Sequence, residues 1–147
     1  MVGIGRKSSK EIFNTSKLIR IDIIESYGAL PLLPLNIGQI NQVFMNLLIN
    51  ASDAIPDHGE IRIKTSVEDQ NVVISIQDTG RGIKPEDLDK IFDPFFTKKI
   101  GGTGLGLSIS YRIIKDHGGK IEVESIPDKG TAFTIRLPIE IPVKGGV

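Results

Sequence analysis

A chain of 147 residues, 39% of them apolar and 24% charged, is about one ordinary globular domain, long enough to bury a real core. Its 18 basic and 18 acidic side chains cancel, which excludes an overall field for gathering nucleic acid or membrane, so any polyanionic ligand must be held by local groups. Cysteine is absent, the start MVGIGRKSSK has no apolar signal-peptide core, and no run approaches the roughly 18 apolar residues of a membrane span, so a soluble, intracellular domain is expected.

In chain order, residues 1–17 read as a tail or linker remnant, small, basic and non-periodic at their start. LIRIDIIES (18–26) is β-branched and strand-like, and YGALPLLP breaks it with a glycine and two prolines. NIGQINQVFMNLLINASDAI (36–55) predicts a helix, with Asn36 and Gln39 spaced as a capping box. Ile40, Val43, Phe44, Leu47, Leu48, Ala51 and Ile55 form one broad apolar stripe along it. Two closely connected strands follow, EIRIKTSVE (60–68) and NVVISIQD (71–78). PEDLDKIF (85–92) opens with proline and acids, as a helix start prefers. GLGLSISYRIIKDH (104–117) reads as a helix closed by Gly118 and Gly119, and KIEVES and TAFTIRLP alternate as strands around a PDKG turn. Residues 139–147 read as a C-terminal tail. The domain is therefore 18–138, and the expected class is α+β: a two-layer α/β sandwich with a five-stranded mixed sheet and about three helices on one face.

Some residues do not fit a purely structural pattern. Period two puts Val72, Ile74, Ile76 and Asp78 on one face, so a carboxylate ends an apolar row, where it is costly unless satisfied. The same count places Thr131 with Phe133, Ile135 and Leu137. Asp78 either caps a turn onto the amide of Gly80 or lines a ligand pocket with Thr131.

On the first helix, Asn46, Asn50 and Asp53 share a flank beside the apolar stripe, while Met45 and Ile49 lie on the far side, implying little solvent-facing surface. Paired asparagines there serve either helix-to-helix hydrogen bonds or a hard cation such as nucleotide-bound Mg²⁺. GGTGLGLS lacks the ending of a Walker A loop, but it opens a helix whose N-terminal amides suit phosphate. Lys98 and Lys99 just before it suggest a basic flap, with a solvated loop as the plain alternative. His58, in a turn, and His117, at a helix end, read as structural or incidental rather than catalytic. No Ser-His-Asp or Cys-His set can be assembled.

In family order, these segments resemble the catalytic and ATP-binding domain of sensor histidine kinases, whose Bergerat-type ATPase fold is shared with Hsp90, MutL and DNA gyrase. NLLINASDA (46–54) resembles the N box, DTGRGI (78–83) the G1 box and FDPFF (92–96) the F box. GTGLGLS (102–108) resembles the G2 box, and GTAFTI (130–135) the last glycine box.

The resemblance implies ATP and Mg²⁺ as ligands. Asp78 would accept a hydrogen bond from the adenine amino group, with Thr131 helping through water. Gly80 and Gly82 would let the backbone approach the base, and Ile83 would pack on its ring. Asn50 would ligate Mg²⁺ with Asn46 beside the phosphates, and Asp53 falls where many relatives carry a basic residue. Gly102, Thr103, Gly104 and Gly106, with the amides of Leu105 and Leu107, would hold the phosphates. Lys98 or Lys99 would neutralise the γ-phosphoryl. The acceptor would be a histidine on a separate helical-hairpin domain of the parent protein, which would pass the phosphoryl group to a response regulator.

The resemblance further implies a cytoplasmic domain, monomeric alone, within a homodimeric parent that is membrane-anchored or soluble, with no nucleic-acid or membrane contact of its own. A serine kinase of the anti-sigma-factor type and a non-catalytic ATP-gated module are the alternatives.

Overall fold

The computed structural model describes residues 5–14, 17–97 and 104–139. In chain order the elements are β1 (Gly5–Asn14), β2 (Lys17–Tyr27), α1 (Ile37–Ala54), β3 (His58–Glu68), β4 (Asn71–Asp78), α2 (Pro85–Leu88), α3 (Gly106–Asp116), β5 (Lys120–Ile126) and β6 (Gly130–Pro138). The strands form one mixed sheet in the order β1-β2-β3-β4-β6-β5, antiparallel throughout except where β2 runs parallel to β3. That parallel pair is joined by the α1 crossover, since antiparallel neighbours can turn tightly and parallel ones cannot. The α+β sandwich and the five expected strands are present as β2–β6. The sheet carries one strand more: β1, within the stretch read as a tail, pairs with β2 from Asn14↔Lys17 to Gly5↔Ser26. Residues 5–14 lack apolar alternation, and their strand is made by backbone pairing onto the long edge that β2 presents.

The core lies between α1, α3 and one face of the sheet. Ile40, Val43, Leu47, Ala51 and Ile55 are buried from the helix side, and Ile21, Ile61, Val72, Ile74, Ile76, Phe133, Ile135 and Leu137 from the sheet side. Period two holds along β6, where Thr131, Phe133, Ile135 and Leu137 are buried and the residues between them half-exposed. On β4 the rule has one exception, because Val73 on the opposite face is buried as well. Between β3 and β4, Asp69 and Gln70 both take positive φ (49° and 63°), the geometry of a two-residue hairpin turn that matches strand twist.

Two helix expectations change. Met45 and Ile49 are 57% and 48% exposed, so α1 does present a solvent face. The sheet lies under one side of α1 and α3 against a flank, which leaves the third side open. The expected helix over 85–92 ends at Leu88 and continues as tight turns, with Lys90 N–H bonded to Asp87 O and Asp93 N–H to Lys90 O. Pro94 disfavours helical geometry at Asp93, so i→i−3 bonds finish the segment.

The capping box is half as expected. Asn36 Oδ1 accepts from Gln39 N–H at 3.0 Å, but the Asn36 amide donates to His117 Nε2 at 3.1 Å, across to the end of α3. His117 Nδ1 lies 2.8 Å from the Ile113 carbonyl, which can only accept. The ring is therefore the neutral Nδ1–H tautomer, and it ties the start of α1 to the end of α3. His117→Ala should lower the unfolding free energy by about 1 kcal/mol, measured by urea denaturation, because the Asn36 amide loses its acceptor.

Candidate functional site

Register places the polar residues of the sheet in one row. Asp78 pairs with Ile61 on one side and with Thr131 on the other, and Thr131 pairs with Ser125. Asp78, Thr131 and Ser125 thus lie side by side across β4, β6 and β5, at the end of the sheet beneath the C-terminus of α1. Above Asp78 and Thr131 is a cavity of about 570 Å³, the size range of small-molecule sites.

Asp78 is 4% exposed, and its Oδ1 accepts the Gly80 amide at 2.8 Å. The turn cap expected as the plain reading is real, and the carboxylate also lines the cavity. Burial raises its pKa above the ordinary 3.8, and the Gly80 and Thr131 amides pull it partly back. An ionised carboxylate can accept more bonds than these two amides make, so a further donor from the cavity would stabilise its charge.

Several other expected site residues meet at this cavity: Asn46, Asn50, Asp53, Gly82, Ile83, Gly104, Gly106, Leu107 and Thr131 all line it. Gly80 and Leu105 stand behind the wall, and Lys98, Lys99, Gly102 and Thr103 lie outside the described residues. Asn46 has a structural task too, since its Nδ2 donates to Gly106 O at 3.0 Å and to Ser110 Oγ at 3.1 Å, tying α1 to α3.

The glycines of the first turn meet protein backbone. A Cβ on Gly82, whose φ is +71°, would come within 2.3 Å of Ile126 O, and one on Gly80 within 2.4 Å of Ala54 O. The turn is wedged between the end of α1 and the end of β5. Arg81 stitches it there: its amide donates to Ala54 O at 2.9 Å, and its carbonyl accepts from Asp128 N–H at 2.7 Å. Its guanidinium donates to the Asp53 carbonyl. Thr79 secures the other side, with its hydroxyl accepting the Glu60 amide at 2.9 Å.

Sequence reasoning missed Arg81, Lys84 and Asp87 on the cavity wall and Ser125 beside it. For Ser125 a signal existed, because period two along β5 puts it with Ile121 and Val123 on the core face. Arg81 and Lys84 lie within and just after the first glycine turn, residues 78–83, where no local pattern dictates whether they face the cavity.

Residues 36–141 match the family described as histidine kinase-, DNA gyrase B- and HSP90-like ATPase. The chain is similar to the sensor histidine kinase ZraS of Escherichia coli (strain K12), at 44% identity over 115 residues, covering 78% of this chain and 25% of that protein. It is also similar to the signal transduction histidine-protein kinase AtoS of the same organism, at 48% over 123 residues, covering 82% and 20%. The chain thus spans a quarter or less of the length of these curated relatives. Among solved structures, the nucleotide-free catalytic domain of histidine kinase ThkA superposes with a TM-score of 0.64 at 37% identity, covering 82% of this chain and 71% of that one. The N-terminal boundary of the match coincides with the cap of α1, and the matched span contains the whole wall of the cavity. The chain belongs to the histidine kinase-, DNA gyrase B- and HSP90-like ATPase family, and within it is an ATP-binding catalytic domain of the histidine kinase kind.

Proposed function

We propose that the cavity holds Mg-ATP, and that the domain transfers the γ-phosphoryl group to a histidine imidazole on a separate helical-hairpin domain of a longer parent protein. The observation that carries the reading is the buried Asp78 carboxylate on the wall of the cavity, with acceptor capacity left for an exocyclic amino donor. Ile83 and Phe133 line the cavity, as a purine ring requires, and Thr131 stands next to the acid. On the α1 wall, Asn50 and Asp53 offer hard oxygen donors. Among the described residues no group of three or more His, Cys, Asp or Glu offers an all-protein metal cage. That donor set fits Mg²⁺, which takes few protein ligands and completes its shell with water and phosphate oxygens. Asn50 would hold the ion, which when bound supplies neutralisation of phosphate charge. Lys84 lines the cavity among the described residues, and Lys98, Lys99 and the glycines before α3 are the further groups proposed for the phosphates.

The chain's part in the chemistry is to position the phosphate chain and stabilise charge, because phosphoryl transfer has a loose transition state with little covalent demand on the protein. Among the described residues no helix is long and apolar enough to cross a membrane. The domain is proposed to act in the cytoplasm, as a monomeric unit of a homodimeric parent whose phosphohistidine feeds a response regulator.

Titration calorimetry of the domain with Mg-ATP should give a dissociation constant on the order of micromolar to millimolar. Asn50→Ala should retain nucleotide binding better than it retains transfer to an added phosphoacceptor domain. An acid-labile label on the product assigns histidine; an acid-stable label assigns the serine-kinase alternative. Binding without any transfer assigns the ATP-gated module.

A further inference from the structure

We infer that Ser125 is a positioning residue that turns the Thr131 hydroxyl into an acceptor toward the ligand, and thereby sets a preference for 6-amino over 6-oxo purines. This deepens the nucleotide reading above and rests on it.

Ser125 sits directly across the β5–β6 ladder from Thr131. Its Oγ has three protein neighbours: the Ile83 amide at 2.7 Å, the Gly130 carbonyl at 3.0 Å and Thr131 Oγ1 at 2.8 Å. A serine hydroxyl owns one hydrogen and two lone pairs. The Ile83 amide can only donate, so it takes one lone pair. The Gly130 carbonyl can only accept, so it takes the hydrogen. The remaining lone pair faces Thr131, whose hydroxyl must supply the hydrogen. Were Ser125 to donate to Thr131 instead, its oxygen would face the Gly130 carbonyl oxygen at 3.0 Å with no proton between them, a repulsive contact between two acceptors.

Thr131 therefore commits its only hydrogen to Ser125 and presents lone pairs alone to the cavity that it lines. Its neighbour across the other ladder, Asp78, is also an acceptor when ionised. Two adjacent acceptors suit a donor edge in direct contact. A 6-amino purine provides two N–H groups there. A 6-oxo purine sets its carbonyl against Thr131 lone pairs, and specificity follows from that repulsion. Ser125 touches no ligand in this scheme: it acts only through the hydroxyl beside it.

The test is titration of the domain with Mg-ATP and Mg-ITP, which differ at position 6 of the base. Wild type should prefer ATP. Ser125→Ala frees the Thr131 hydrogen to meet the 6-oxo group, so the ratio of ITP to ATP dissociation constants should fall on the order of tenfold, the worth of one neutral hydrogen bond. Ser125→Thr, which keeps the hydroxyl, should restore the ratio. Ser125→Cys, close to serine in size but a poor donor and acceptor, should lower it, which guards against misfolding of the alanine variant. In a Thr131→Val background, Ser125→Ala should leave the ratio unchanged, because the effect passes through that hydroxyl.

Equal weakening of both nucleotides by Ser125→Ala, with the ratio intact, would overturn the inference and reduce Ser125 to packing. Wild type binding ITP as tightly as ATP would overturn it as well. Wild type binding neither nucleotide would sink the nucleotide reading itself, and this inference with it.

Discussion

Asp78→Asn is expected to weaken Mg-ATP binding about 100-fold, a loss of about 3 kcal/mol, while leaving the domain as stable as before or about 1 kcal/mol more so. The two effects separate because they have different causes. Asparagine keeps an oxygen for the Gly80 amide and removes a charge whose burial is unfavourable. It also brings an NH₂ group, which in place of a carboxylate oxygen meets the adenine amino group donor to donor. The pH dependence carries the sign. The folded pKa of Asp78 is raised above 3.8, so folding holds the proton more tightly than the unfolded chain does. Below pH 3.8 the group is neutral in both states and imposes no penalty. As pH rises from there through the folded pKa, wild type loses that advantage and the variant does not. Thermal unfolding of the two proteins across this window should therefore diverge upward in pH, with the variant the more stable. Calorimetric titration at neutral pH reads the binding arm. A variant that binds like wild type would remove Asp78 from base recognition.

Gly130→Ala should cost about 3–5 kcal/mol, a large share of the roughly 5–15 kcal/mol that holds an ordinary domain together, and should disrupt the site. Gly130 starts β6 with φ +138°, and an added Cβ would lie 2.0 Å from the Asp78 carbonyl oxygen. The three nearest atoms, Asp78 O, Asp78 C and Thr79 Cα, are all backbone, with no flexible side chain to yield, so β6 must move away from β4. That movement breaks the Asp78–Thr131 pair on which the cavity floor depends. Gly38→Ala is the control. Gly38 lies in α1, and its added Cβ would meet nothing nearer than Asn36 Oδ1 at 3.6 Å. It should be neutral or stabilise by about 0.5–1 kcal/mol through helix propensity. Urea denaturation of both variants checks the contrast, and a Gly130→Ala protein as stable as wild type would mean that β6 has room to shift.

Short-range patterns in the sequence determine most of this molecule's architecture. The stripe from Ile40 to Ile55 is the buried side of α1, and period two put Asp78 and Thr131 on the core face where they lie. Five short motifs in family order led to the fold and to a wall of the cavity, because each is a local solution to a local problem: a turn, a cap, a strand end. What the chain's path alone decided are the partners across it. The Asn36 amide finds its acceptor on His117, 81 residues away, where local chemistry pointed to Gln39. The Ile83 amide finds Ser125, 42 residues on. The glycines of the first turn turned out to face Ala54 and Ile126 backbone. β1 joins the sheet without apolar alternation of its own, and α1 keeps a solvent side that its apolar residues concealed. Periodicity reports which way a side chain points within its own element, and a hydrogen bond between elements needs the position of both, which only the packed sheet and helices supply.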